Sequence, residues 1–239
     1  MAIPRRVALF VALAVVLAAG FVRLGFWQLD RLAQRRARNA QTRARLMLPA
    51  TAFAAVDSSR DKLDRRTSVD GVPDYEREFV VAGRSRDGSP GVHIITPLKV
   101  AGDDRAVLVN RGWVYSPDAE TVDLSRWREA RHAFSGYSRE MAPGASSTTQ
   151  RVRGVRQLAV GGVSHLLPYP FHAVYVVSQD SASDSTPVRL PLPALDEGPH
   201  LSYAIQWFSF ATIALVGAAS VAVRARVSPE SRQTGQVPE

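Results

Sequence analysis

The stretch "LSYAIQWFSFATIALVGAASVAV", Leu201–Val223, decides the fold because it is predominantly apolar and carries no charged residue. A helix needs about 20 mostly apolar residues to cross the hydrocarbon core of a bilayer. The stretch therefore predicts a transmembrane helix over residues 201–223. Its beginning differs from a plain anchor, because His200 precedes it and Tyr203 and Trp207 lie within its first two turns.

A second apolar run near the start, "VALFVALAVVLAAGFV" (Val7–Val22), continues past Arg23 to Leu29. It predicts a transmembrane helix over residues 7–29, provided that the Arg23 guanidinium reaches the interface. A cleaved signal peptide is the alternative, since two arginines precede the run and small residues occupy positions 18–20. The length of the run favours the transmembrane helix.

Two spans would place the tails, residues 1–6 and 224–239, on one side of the membrane and residues 30–200 on the other. Positively charged segments close to a span tend to stay in the cytoplasm. Three arginines follow the second span and favour cytoplasmic tails, whereas the six arginines between residues 31 and 45 oppose them. The charges together favour cytoplasmic termini without settling the orientation.

The middle of the chain predicts a helical extension followed by strands. Residues 30 to about 48 favour helix, because they contain no Gly or Pro before Pro49. Runs rich in Val and Ile, from "REFVVAGRS" (77–85) to "FHAVYVVSQD" (171–180), alternate with turn signals. We expect one antiparallel β domain, a barrel or a sandwich, with a long loop over residues 142–162.

Composition excludes several classes of function. The chain has no cysteine, which excludes disulfides and thiolate metal sites, and it has only three methionines. The net charge of +8 is scattered and accompanies no nucleic-acid motif, so we expect no nucleic-acid partner. None of the common catalytic motifs is present, so we expect no enzyme. His93 lies in an apolar strand pattern, which is more typical of a packed core histidine than of a ligand.

The stretch "VNRGWV" (Val109–Val114) is too specific for a plain strand. One interpretation is a β-bulge, with Gly112 in a conformation closed to other residues and Arg111 paired locally. The other is a surface knob in which Arg111 and Trp113 anchor a partner. The residues favour the bulge.

Three stretches together resemble one family: "LGFWQLDR" (Leu24–Arg31), "VLVNRGWV" (Val107–Val114) and "HLSYAIQWFSFA" (His200–Ala211). They resemble the surfeit-locus family of cytochrome c oxidase assembly factors. The resemblance implies an integral membrane protein of the bacterial cell membrane, with two transmembrane helices flanking an extracytoplasmic β-rich domain and both termini in the cytoplasm. Residues 141–169 lack an Asn–Trp pattern found in many members, and we assign them no role.

The resemblance also implies a chaperone in respiratory chain biogenesis. The chain would bind haem a at the membrane interface and assist its insertion into oxidase subunit I. Its partners would then be subunit I, the haem a synthesis machinery and the lipid bilayer. The alternatives are a haem-free membrane scaffold that binds oxidase subunits, and a two-helix membrane receptor.

The family's haem-ligating histidine matches His200, and its neighbours match Tyr203, Gln206 and Trp207. The remaining family motif positions match Gly25, Trp27, Gln28 and Arg31 in the first helix and Asn110, Arg111, Gly112 and Trp113 in the strand.

Helical spacing is compatible with this assignment. In a helix that begins near His200, residues 200, 203, 207, 210 and 214 share one face, so an imidazole for iron is followed by aromatic rings.

We expect further polar contacts around this face. Gln206 is expected to hydrogen-bond Gln28, and Arg23 and Arg31 are expected to pair with haem propionates. Without the resemblance, the same residues fit an ordinary interfacial aromatic belt.

Overall fold

The computed structural model describes residues 4–57, 62–149 and 151–227. The chain forms two compact units, which are described separately. The first contains the chain up to Gln41 and from Leu195 onward, and the second is Thr42–Ala194. The predicted tails lie partly outside the described residues, Arg232 among them.

The helices among the described residues differ greatly in length. They are α1 (Arg5–Met47), α2 (Phe53–Asp57), α3 (Val160–Ser164) and α4 (His200–Val227), with 3₁₀ turns at Tyr75–Arg77 and Leu124–Trp127. Helices α1 and α4 are long and apolar enough to cross a membrane. Helix α1 has 43 residues and is about 65 Å long, roughly twice the hydrocarbon thickness. It ends shortly before Pro49, which disfavours helix in the residue that precedes it.

In the described part of the second unit, the strands form one nine-stranded sheet. Its strands are β1 (Thr51–Ala52), β2 (Arg66–Asp70), β3 (Val72–Pro73), β4 (Phe79–Arg86), β5 (Ser89–Lys99), β6 (Ala106–Tyr115), β7 (Ala133–Glu140), β8 (Gly154–Val155) and β9 (Phe171–Ser178). The strand order is β1-β2-β7-β9-β6-β5-β4-β8, and β3 pairs with β5.

The sheet is mixed, so the predicted purely antiparallel domain is wrong in this respect. Strand β9 lies between β6 and β7 and runs parallel to β6. The short strands β1 and β8 also pair in parallel, with β2 and β4 respectively. The parallel β6–β9 pair arises because the chain crosses over through β7 and residues 141–170 before it returns to the sheet, and periodicity within single strands carries no signal for that crossover.

The long loop predicted over residues 142–162 is confirmed for most of its described residues, but it also contains the short strand β8 and the beginning of α3. The side chains of Val155, Leu158 and Val163 are buried and pack with Phe79 and Leu108 of the sheet. Scattered small and polar residues concealed these apolar positions. The segment therefore covers one face of the sheet and completes a hydrophobic core there.

A β-bulge lies in β6 at the stretch that the sequence analysis singled out. Ile94 of β5 pairs with Gly112 and Ile95 pairs with Asn110, which leaves Arg111 as the extra residue. Gly112 has φ +133°, and a Cβ at this position would lie 2.3 Å from the carbonyl oxygen of Val188. The bulge thus creates a backbone site that only glycine fits.

The side chain of Arg111 is fully buried beneath the bulge. Its Nη2 donates to Glu78 at 2.6 Å and its Nε to the Thr96 hydroxyl at 2.7 Å, while Nη1 donates to the Trp127 carbonyl. Removal of one partner of such a buried pair costs about 3–5 kcal/mol, because the other charge stays buried. Burial raises the pKa of Glu78, and the Arg111 charge opposes that rise.

Trp113 is also buried, with 8% of its surface exposed. Its backbone exchanges two hydrogen bonds with Val188, at 2.8 and 2.9 Å. Because Arg111 and Trp113 are both covered, the surface-knob interpretation is wrong. The backbone of this stretch instead holds the sheet to the segment around Val188, since Arg189 also donates to the Arg111 carbonyl at 2.6 Å.

We predict that Gly112→Ala lowers the free energy of unfolding by about 2–4 kcal/mol, since the new Cβ adds an overlap to an unfavourable φ. Chemical denaturation of the detergent-solubilised chain measures the change. Gly102→Ala is the matched control, because Gly102 has φ +77° but open space around it, and it should cost only about 1 kcal/mol. Equal losses in the two variants would contradict the close approach to Val188.

Candidate functional site

The candidate site lies at the beginning of α4, where His200 contacts α1. The Nδ1 of His200 is 2.9 Å from the side-chain oxygen of Gln28, which is largely buried. An amide oxygen only accepts, so Nδ1 carries a proton, and in the neutral ring the lone pair then lies on Nε2. Nε2 has no hydrogen-bond partner among the described residues. The pair therefore holds His200 in the tautomer and orientation of a metal-ligating imidazole.

The segment before α4 is tied to the polar part of α1. Arg36 donates two hydrogen bonds of 2.8 Å to the carboxylate of Glu197. The Arg36 hydrogen bonds lower the pKa of Glu197. Asn39 donates to the Asp196 carbonyl at 2.8 Å, and Arg35 approaches the Asp196 carboxylate at 3.3 Å. These contacts fix the chain immediately before His200.

Two residues shape the start of α4. Gly198 turns the chain into the helix with φ +68°. Residues other than glycine adopt this left-handed conformation only at an energetic cost. Pro199 lies just ahead of the helix, and its carbonyl accepts hydrogen bonds from the Ser202 hydroxyl and the Tyr203 amide. His200 is consequently the first residue of a well-defined helical turn.

An aromatic cluster joins α1 and α4 two turns along α4 from His200. The rings of Trp207 and Phe21 stack at 5.7 Å, and Phe210 contacts both at 5.8 and 5.9 Å. Tyr203 lies outside this cluster and is 45% exposed. The predicted face of α4 is thus divided. His200 and Trp207 contact α1, whereas Tyr203 lies at the exposed edge of this face.

The predicted hydrogen bond between Gln206 and Gln28 is wrong. Gln206 is exposed and makes no side-chain hydrogen bond with the described residues, while Gln28 pairs with His200. Successive helix residues are rotated by about 100°, so Gln206 lies about 160° around α4 from the buried Ala204. Spacing alone did not show which residue of this turn faces α1.

The first-helix motif divides between two sides of α1. Gly25 faces α4, where a Cβ would lie 2.6 Å from the ring of Phe208. Trp27 is 48% exposed and lies beneath the guanidinium of Arg31, which is 5.4 Å from the ring centre. Gly25 thus permits close packing of α1 on α4, and Trp27 and Arg31 remain accessible.

Arg23 lies on the opposite side of α1 from Gly25, by the same rotation of about 100° per residue. There it lines a surface depression with Trp27 and Asp30. Trp27, on which the Arg31 guanidinium lies, thus belongs to the same depression as Arg23.

The strand motif belongs to the second unit, where Arg111, Gly112 and Trp113 are structural. Asn110 accepts from the Gly112 amide at 3.1 Å and lies 3.4 Å from Nδ1 of His93. Burial, together with the Arg84 charge, lowers the pKa of His93 to about 4. His93 is thus a neutral, largely covered histidine at physiological pH.

His172 has carboxylate partners that sequence spacing did not reveal. Its ring nitrogens lie 2.9 Å from Asp57 and 2.7 Å from Asp103, which are far apart in the sequence. Within the described residues, no group of three or more His, Cys, Asp or Glu side chains is arranged to hold a metal ion.

A sequence model of the SURF1 family matches residues 15–212, a range that contains all three motif stretches. The chain belongs to the SURF1 family. This confirms the surfeit-locus resemblance, and the family is generally linked to cytochrome oxidase assembly.

Curated SURF1-like proteins are similar along most of their length. An uncharacterized SURF1-like protein of Mycobacterium tuberculosis is 30% identical over 224 residues, covering 87% of this chain and 81% of the relative. SURF1-like proteins of Rickettsia felis and Rickettsia bellii are each 24% identical and cover 82% of this chain, with 88% and 83% of the relatives covered.

We predict that protonation of His93 destabilises the SURF1-family fold in acid. The pKa of His93 is about 4 in the folded chain and 6.5 when exposed, so the unfolded state binds more protons as the pH falls from 6.5 to 4. The free energy of unfolding should therefore fall by up to about 3 kcal/mol more in the wild type than in His93→Gln over this range.

Denaturant titrations at several pH values measure this difference. The control is His132→Gln, because His132 is exposed and its removal should leave the pH dependence of the wild type unchanged. Parallel pH curves for the wild type and His93→Gln would show that His93 titrates normally in the folded chain.

Proposed function

We propose that the chain is a membrane-anchored assembly factor of the bacterial cell membrane that binds haem a through His200 and assists its insertion into subunit I of cytochrome c oxidase. Family membership supports the link to oxidase assembly. The observation that carries the haem assignment is the hydrogen bond between His200 and Gln28, which leaves Nε2 of His200 as a free ligand atom.

The residues around His200 fit the group that the family implies. Bound haem supplies an iron that takes a neutral imidazole nitrogen, an apolar macrocycle and two carboxylates. His200 would hold the iron, the rings of Phe21 and Trp207 would contact the macrocycle, and Arg31 would pair with a carboxylate. The role is carriage, in which the chain binds and orients a group without transforming it.

The proposed orientation places both termini in the cytoplasm and residues 30–200 outside it. The arginines after the first span were the objection to this orientation. Arg35 and Arg36 are paired with Asp196 and Glu197, which offsets part of that local positive charge. The remaining positive charge then lies at the C-terminal end of α4, where Arg224 and Arg226 occupy the last turn. This distribution of charge favours a cytoplasmic C-terminus.

A haem-free scaffold is the second candidate, and one contact favours it. Trp207 already stacks on Phe21 between the two helices, so its ring has a structural partner without any ligand. In that case α1 and α4 would form a rigid platform, and oxidase subunits would bind to its exposed apolar sides.

Visible spectroscopy of the purified chain separates the two candidates. We predict that protein from a haem a-producing host carries haem, that His200→Ala loses at least about nine-tenths of it, and that Gln28→Leu retains an intermediate amount. Gln28→Leu keeps the ligand His200 but removes the hydrogen bond that orients its ring. Loss of such a hydrogen-bond partner of a metal ligand typically lowers the affinity for the metal by about 10–100-fold.

His165→Ala is the matched control, since His165 is exposed and belongs to the second unit, whereas His200 and Gln28 belong to the first. It should leave the haem content unchanged. Wild-type protein without haem would favour the scaffold, and equal haem in His200→Ala and the wild type would remove His200 as the ligand.

A further inference from the structure

A surface depression of about 790 Å³ lies on the side of α1 that points away from α4. Arg23 and Trp27, which line it, are each rotated by about 160° around α1 from Gly25, the residue that packs against α4. The apolar end of the depression is lined by Ala19, Gly20 and Val22, and its polar end by Arg23, Trp27 and Asp30. The haem proposal uses neither Arg23 nor Asp30.

Two opposite charges stand in this depression without protein partners. Neither Arg23 nor Asp30 forms an ion pair or a side-chain hydrogen bond with any residue that the structure describes. They lie about 10 Å apart along α1 and within about 20° of each other around it, so they share one line but do not pair. An unpaired arginine that faces lipid is costly, and it calls for an anion from outside the chain.

The order of groups along the depression matches that of a zwitterionic phospholipid. Helix α1 continues beyond Asp30, so the end with Asp30 is the one that faces water when residues 7–29 span the membrane. From the hydrocarbon outward, the depression offers an apolar surface, a cation at Arg23 and an anion at Asp30. Phosphatidylethanolamine presents acyl chains, a phosphate and an ammonium in the same order, with the complementary charges.

The depth of Arg23 favours a lipid phosphate as its partner. Side chains of a helix lean toward its N-terminus, which for Arg23 is the interior of the membrane. The guanidinium therefore does not extend easily to water at the Asp30 end, and the counter-charge must approach it from the headgroup layer. Asp30 leans in the same direction, which brings its carboxylate toward that layer.

Asp30 distinguishes between headgroups. A primary ammonium has three N–H donors for a carboxylate, whereas an anionic headgroup such as glycerol leaves Asp30 without a cation. A choline headgroup cannot donate hydrogen bonds and binds best on aromatic faces. The neighbouring aromatic face is already occupied, since the Arg31 guanidinium lies 5.4 Å from the centre of the Trp27 ring.

We propose that this depression binds a phospholipid with a primary-amine headgroup, of the phosphatidylethanolamine class. The phosphate accepts from Arg23, the ammonium donates to Asp30, and an acyl chain lies along Ala19 and Gly20. There is room for this chain at Gly20, where a Cβ would meet open space. The site rests on the membrane anchoring of α1 in the proposed function, but not on haem at His200.

Native mass spectrometry of the full chain in detergent micelles tests the proposal. The probes are palmitoyl-oleoyl phosphatidylethanolamine and the phosphatidylcholine and phosphatidylglycerol with the same acyl chains. We expect the first ethanolamine lipid to bind at least about fivefold more tightly than either of the others, because only it pairs with both charges. Protein from a host that makes no haem a should show the same preference.

Two variants locate the site. Arg23→Gln should weaken binding of the ethanolamine lipid by about tenfold, because the phosphate loses its cation. Asp30→Asn should remove the preference for ethanolamine over glycerol, and it keeps the intramembrane charge, so it stays informative if Arg23→Gln folds poorly. Arg38→Gln is the control, since Arg38 is an exposed arginine of α1 outside the depression. It should bind all three lipids like the wild type.

Four results would overturn the assignment. Equal binding of the three lipids would leave the depression to a protein partner, and a preference for phosphatidylglycerol would show an anionic-lipid site. Unchanged binding in Arg23→Gln, or an unchanged preference in Asp30→Asn, would place the lipid elsewhere.

Alkaline extraction of cell membranes tests the anchoring separately. Release of the chain from the membranes would contradict the membrane anchor itself. A chain that is retained but shows no lipid preference would contradict only the phospholipid site.

Discussion

The hydrogen bond between Gln28 and His200 is the contact on which the candidate site depends. It joins two residues at opposite ends of the sequence and fixes three properties of the imidazole: its position, its tautomer and the direction of its free lone pair. Gly25 permits α1 to approach Phe208, and the Arg36–Glu197 pair fixes the chain before α4. Each of these residues acts by keeping Gln28 within reach of His200.

The second unit depends on a different constraint, the burial of one arginine. The bulge in β6 turns Arg111 toward Glu78 and Thr96, and it leaves Gly112 to accommodate the Val188 carbonyl. A buried ion pair adds little net stability compared with apolar packing, but an unpaired partner is costly. The motif that resembles a recognition surface in the sequence is therefore an internal tie between strands.

Much of this architecture is readable from the sequence, because its signals are local. The two apolar runs, the lack of Gly and Pro before Pro49, and the Val-rich runs between turn residues indicate the two long helices and the β-rich domain. The parallel pairing of β6 with β9 was not readable, since it depends on contacts between distant segments. The buried positions of residues 141–169 were hidden for a related reason, as isolated apolar residues show no period.

The candidate site was readable only in part. The resemblance named His200, and helical spacing grouped it with Trp207, but neither showed that Gln28 is its partner. Rotation around α1 and α4 decides that pairing. The carboxylates of Asp196 and Glu197 next to His200 left only a weak signal, their complementary charge to the arginines of α1.

The most direct measurement of the central claim is the haem a content and cytochrome c oxidase activity of membranes from a deletion strain in which this was the only SURF1-family gene. We expect both quantities to fall in the deletion strain, to recover with the wild-type gene, and to stay low with the His200→Ala gene at equal protein level. Normal haem a and oxidase activity in the deletion strain would contradict a role in oxidase assembly, and full recovery with His200→Ala would contradict the role of this histidine.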